Sequence, residues 1–145
     1  MASESWQGDF KVAVLPCNGI GRLSSTICRQ ASLWLAKLRA GQVVMLSACA
    51  LAVKEEDEMA LFERHPLFIM DACHPHCASV LAKELGKEPA ASLYVPDVAG
   101  EVKIPLAGEK RRGLRKRGME LTEVVAEKAA AEVDRILADE MLSTL

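Results

Sequence analysis

Four short apolar runs, separated by stretches with helical periodicity, leave this chain few ways to fold. The runs are Phe10-Lys11-Val12-Ala13-Val14-Leu15, Val43-Val44-Met45-Leu46-Ser47, Leu67-Phe68-Ile69-Met70 and Ala91 to Val95. They are near-continuous rather than alternating in polarity, so a strand built from any of them has to bury both faces. Strands that alternate with helices in this way imply a mostly parallel central sheet with helices on both faces, a three-layer α/β architecture.

The intervening segments support that reading. Ser24 or Ser25 is placed to cap a helix that runs to about Ala40, with Ile27, Ala31, Leu35 and Leu38 on one stripe and Gly41 as its stop. Glu55 to Glu63 reads as an acidic helix ended by His65-Pro66, and a further helix follows Pro75 and runs to Leu85. The last helix spans roughly Glu120 to Met141, where Leu121, Val125, Ala129, Val133, Ile136 and Leu137 recur on one face. Pro96 to Gly118 is expected to be less regular. The pattern predicts a Rossmann- or flavodoxin-like sheet in one α/β domain, residues 10–145, behind a flexible N-terminus, residues 1–9.

With 145 residues the chain is long enough for one adequate core. A net charge of −2 gives no global reason to expect nucleic acid or membrane. No apolar run approaches the roughly 20 residues that span a bilayer, and the polar start, Met1 to Gln7, lacks the apolar core of a secretion signal. The five cysteines are therefore expected in a reducing, cytoplasmic setting, where cysteine clusters bind metal or do chemistry rather than form a disulfide framework.

Their positions sharpen this expectation. Cys17, Cys49 and Cys73 each fall just after a predicted strand, and Cys77 follows Cys73 at one-turn spacing. Parallel strands all end on one edge of a sheet, which is where ligands bind in open α/β folds. Four thiols brought to one rim suit a tetrahedral Zn2+ site, or alternatively an iron–sulfur cluster. The predicted metal ligands are Cys17, Cys49, Cys73 and Cys77, with sulfurs expected to converge within a few ångströms. His74 and His76 are spare ligands should one thiol point away. Asp71 is placed to orient a ligand or to cap the following helix. Cys28 sits at helical spacing in the first helix and is expected to be a core residue remote from the other four.

Three blocks carry a family resemblance: Cys17-Asn18-Gly19, Ser47-Ala48-Cys49-Ala50-Leu51-Ala52, and Asp71-Ala72-Cys73-His74-Pro75-His76-Cys77-Ala78. They resemble the cysteine blocks of the DGC-domain family, bacterial and archaeal proteins described as zinc-binding and named after a central Asp-Gly-Cys motif. The resemblance covers roughly Val12 to Gly86 and implies a metal but no reaction. Ala72 stands where the motif has Gly, and Asn18 where it has Ser. The first change bears on the turn rather than on the ligands.

Other readings of the same residues stay open. Cys73 and Cys77, at i and i+4, are close enough on a helix to form a redox pair in a metal- or thiol-dependent enzyme. Gly19 and Gly21 before a helix N-terminus offer a small-anion binding turn. The stretch Cys17 to Ser24 is similar to the phosphate loop of small tyrosine phosphatases and arsenate reductases. It is one residue short, which misplaces the arginine that closes that cradle. His65 is expected at the surface. The cationic run Lys110 to Arg117 is expected to be a solvated loop, since it has no interleaved aromatics for stacking on bases. A metal ion is thus the expected partner, with neither membrane nor nucleic acid.

Overall fold

The computed structural model describes residues 10–17 and 19–144; the segment 1–9, expected to be flexible, and Asn18 of the first cysteine block lie outside the described residues. The four apolar runs become β1 (Val12–Pro16), β2 (Val43–Met45), β3 (Leu67–Asp71) and β4 (Ala91–Tyr94). All pair in parallel, in the order β2-β1-β3-β4. Val12 aligns with Val43 on one side of β1, and Val14 with Phe68 on the other. The architecture is the expected three-layer α/β fold with a flavodoxin-like strand order.

Successive strand residues point to opposite faces, and the two faces carry separate cores. Val12, Val14, Phe68 and Met70 pack with Ile27, Ala31 and Leu35 of α1 (Leu23–Leu38), and with the buried stripe Leu121, Val125, Ala129 and Val133 of the 28-residue helix α6 (Lys116–Ser143). Ala13, Leu15, Leu67 and Ile69 face the other way. They meet Leu51 of α2 (Ala48–Ala52), Phe62 of α3 (Glu56–Arg64), and Ala78 and Ala82 of α4 (Cys77–Glu84). Every residue of β1 and β3 is buried, as a strand covered on both sides requires.

Several expectations are corrected. Neither Ser24 nor Ser25 caps α1, which already starts at Leu23 behind Arg22, a side chain that makes no capping bond. The stretch after Pro96 is not irregular throughout: Val95–Val102 is helix α5. Pro96 sits in the first turn of this helix, where its missing N–H costs nothing. The final helix starts at Lys116, where Glu109 Oε1 accepts the Arg115 N–H at 2.7 Å. His65 is buried, not at the surface, with 8% of its area exposed. Desolvation, and then the charges of Arg64, Lys11 and Lys87, hold its imidazole below the ordinary histidine range. Among the described residues, no helix is long and apolar enough to cross a membrane.

Candidate functional site

The chain passes from β1 outward to β2 on one side, then returns past β1 to β3 on the other. The crossovers leave in opposite directions, with α1 on one face and α2 and α3 on the other. That reversal opens a crevice beyond the C-terminal ends of β1 and β3. A cavity of about 460 Å³ lies there.

All four predicted ligand positions, Cys17, Cys49, Cys73 and Cys77, line this one cavity. They reach it from different depths: Cys17 is buried, Cys73 half-buried, and Cys49 and Cys77 exposed. One wall is apolar, made by Ala48, Ala52, Ala78 and Leu81; the opposite wall is the start of α1 with Gly19, Gly21, Arg22 and Ser25. Among the described residues, no three Cys, His, Asp or Glu side chains stand close enough together to hold a metal ion as they are placed. The thiols share a cavity without forming a tight cluster. The thiol of Cys73 nonetheless registers its neighbours. Burial first, then the Cys17 and Cys77 thiols, push it above the ordinary cysteine range, and the charge of Arg22 pulls in the other direction.

Backbone geometry explains how each thiol arrives. The Cys17 N–H extends the ladder by donating to Met70 O at 2.8 Å, so Cys17 continues β1 into the crevice. Cys49 does not end β2 as expected but rides on α2, whose N-terminus is capped by Ser47 accepting from the Ala50 N–H at 3.2 Å. Glu58 of α3 in turn accepts the Ser47 N–H at 2.8 Å, tying the two helices together. Cys73 and Cys77 are held by Asp71, which is 2% exposed. Its Oδ1 accepts the Ala78 N–H at 3.1 Å and its Oδ2 accepts the Ser79 hydroxyl. Of the two roles expected of Asp71, helix capping is the one with bonds. Ala72 is fully buried and outside the left-handed region, so the motif's glycine is not needed for this turn.

The histidines turn elsewhere. Neither His74 nor His76 lines the cavity. His76 adopts φ 52°, its Nδ1 lies 2.7 Å from His74 O, and its ring stacks on Tyr94 with centroids 4.4 Å apart. A left-handed, stacked imidazole is committed to the turn before α4, which removes it as a spare ligand in this arrangement.

Cys28 is a core residue, as expected, with no exposed area. It is not remote, however. Its thiol donates to Met70 O at 3.4 Å, the same carbonyl that receives the Cys17 N–H. Burial pushes this thiol up to about 12, so it stays protonated and is no ligand in this state. Helical spacing alone placed Cys28 inside; the closeness to Cys17 comes from α1 crossing the end of β1.

The cationic loop also departs from a purely solvated one. Arg111 donates through Nη1 to Gly21 O at 2.8 Å, and its own carbonyl accepts the Thr26 hydroxyl at 3.0 Å. The loop is clamped to the start of α1, beside the cavity. Arg22 and Ser25 line the cavity although the sequence marked them otherwise, Arg22 as the arginine of a shortened phosphate-loop stretch and Ser25 as a candidate helix cap.

A family model described as the DGC domain matches residues 13–136. No curated protein and no solved structure matches the chain.

Proposed function

The chain belongs to the DGC-domain family, and from that premise we propose that it is a metal-binding protein whose ligands are the thiolates of Cys17, Cys49, Cys73 and Cys77. The observation that carries the proposal is the single cavity lined by all four thiols. Its donor set is soft, which favours zinc over hard cations and leaves an iron–sulfur cluster as the second occupant to test. Binding requires the side chains to draw together. The exposed Cys49 and Cys77 have the freedom to rotate, while Cys17 and Cys73 are fixed at the strand ends. Four thiolates would close the shell, the arrangement of a structural centre; a shell with one position left to solvent would instead serve catalysis as a Lewis acid. A reducing cytoplasmic location is the setting in which such thiols persist.

The test is elemental analysis of the chain purified in reductant without added metal, beside Cys17→Ser, Cys73→Ser and the fourfold Cys→Ser variant. About one zinc per chain is expected, lost in the single variants, with a thiolate-to-metal absorption band on cobalt substitution. Iron with acid-labile sulfide would identify the cluster. Metal content unchanged in the fourfold variant would refute the proposal.

A second reading, a Cys73/Cys77 redox pair, is favoured by both thiols lining the same cavity within one short turn of chain. Mass mapping of the oxidised protein checks it: a Cys73–Cys77 disulfide that forms reversibly supports it.

A further inference from the structure

Cys73 and Cys77 are not neighbours on one helix. Helix α4 begins at Cys77, so Cys73 lies outside it. Between them the chain makes a tight turn, in which Cys73 O accepts the His76 N–H at 2.9 Å. The separation of the two sulfurs is therefore set by this turn and not by helical geometry.

His76 is the residue on which the turn depends. It stands at φ 52° and ψ 52°, in the left-handed region, and its carbonyl accepts the Val80 N–H at 2.9 Å. Two other non-glycine residues among those described have positive φ, Lys54 and Lys103. Both stand at the C-terminal end of a helix, where a left-handed residue is common. A helix start ordinarily takes extended backbone, and a residue with a Cβ is disfavoured in the left-handed region. The His76 side chain makes no capping bond to offset this. Its ring holds it instead. The imidazole stacks on Tyr94 with centroids 4.4 Å apart and planes inclined by 26°, and its Nδ1 lies 2.7 Å from His74 O.

Tyr94 is itself fixed. It ends β4, in register with Asp71 at the end of β3. Asp71 grips the far end of the same turn by accepting from Ala78 and Ser79 of α4. Two register partners on adjacent strands thus hold one turn, Asp71 by hydrogen bonds and Tyr94 by a stacked ring.

We propose that Tyr94 is a positioning residue for the cysteine site: by stacking on His76 it holds the left-handed turn that sets the Cys77 thiol against the Cys73 thiol. Tyr94 does not line the cavity, so its effect passes through His76. The inference rests on the metal reading for what the thiols bind, whereas the placement of the pair belongs to the turn.

The test makes two measurements on the full chain in reductant. Zinc affinity is read by chelator competition. The placement of Cys73 and Cys77 is read separately, in a Cys17→Ser/Cys49→Ser background, with phenylarsine oxide. Its arsenic bonds to two sulfurs while its oxygen leaves as water with the two thiol protons; Cys28, with no exposed area, takes no part. Tyr94→Ala is expected to weaken zinc and arsenical about fivefold or more, while Tyr94→Phe, which keeps the ring, stays within about twofold of the parent. Adding His76→Gly to Tyr94→Ala restores both affinities, because glycine adopts positive φ without a stack. A loss that came from general packing would not be rescued in this way. Tyr94→Leu carries the test if Tyr94→Ala does not fold. Arsenical affinity unchanged in Tyr94→Ala, or a loss that His76→Gly fails to restore, overturns the proposal. Arsenical binding that follows Tyr94 while zinc does not bind, or binds independently of it, supports the proposal and refutes the metal reading.

Discussion

The Asp71 carboxylate reaches across seven residues to accept the N–H of Ala78 at 3.1 Å, and so locks the end of β3 to the first turn of α4. Cys73 and Cys77 lie inside the segment that this bond closes. Asp71→Ala removes an acceptor that is buried and serves two donors, the Ser79 hydroxyl being the other. A loss of about 1–3 kcal/mol is expected in urea unfolding. Asp71→Asn keeps one acceptor and is expected to lose less. An Asp71→Ala protein as stable as the parent would show that the bond contributes nothing.

Cys28 is expected to be the last cysteine to react. Burial pushes its thiol up to about 12, so it stays protonated at ordinary pH and is a poor nucleophile. Cys49 and Cys77, both exposed, are expected to be alkylated first in native protein, and Cys28 only on unfolding. Peptide mapping after timed alkylation reads the order directly. Cys28→Ala is expected to cost about 1 kcal/mol and to leave metal content unchanged. A metal-free but folded Cys28→Ala protein would make Cys28 a ligand after all.

Arg111 separates from the other charges of its loop. Arg112→Gln and Arg117→Gln are expected to change stability by less than about 0.5 kcal/mol, as exposed charges usually do. Arg111→Gln removes the bond to Gly21 O and is expected to cost about 1 kcal/mol. Amide hydrogen exchange should show faster opening at residues 21–26. Equal exchange in the Arg111 and Arg112 variants would mean that the clamp contributes nothing.

His65 makes folding sensitive to acid. Its imidazole is held below the ordinary value of 6.5, first by desolvation and then by neighbouring cations. Above 6.5 both folded and unfolded chains hold it neutral, and the full stability is present. As pH falls from 6.5 through the depressed folded value, the unfolded chain takes up the proton first, and stability is lost across that window. His65→Phe is expected to flatten this part of the stability–pH curve. An unchanged slope in the variant would assign the acid sensitivity to other groups.

Metal release is expected to follow the Cys73 thiol. Burial, and then Cys17 and Cys77, raise its proton affinity. Protons therefore compete for its sulfur at higher pH than for an ordinary thiol, and acidification releases the metal. A chromophoric zinc chelator added during stepwise acidification measures this. Retention of metal down to pH 4 would contradict thiolate ligation.

The sheet was legible in the residues themselves. Val12–Pro16 and Leu67–Asp71 are buried at every position, and unbroken apolar runs of that length suit strands covered on both sides better than surface ones. The α6 stripe from Leu121 to Leu137 was legible for the same kind of reason, since helical periodicity is local. Helix α5 was not, because Pro96 has opposite meanings inside a helix and in its first turn, and only the chain path tells them apart. The common edge of Cys17 and Cys73 also followed from sequence, because parallel strands end together, whereas Cys49 reaches the same cavity from α2. Their depth, the turning of His76 onto Tyr94, the closeness of Cys28 to Cys17 and the contact of the Ser25 hydroxyl with the Cys17 thiol did not. Each depends on how α1, the 110–117 loop and the turn before α4 pack across the strand ends. Periodicity fixes which face of an element is buried, but long-range packing decides which two side chains meet.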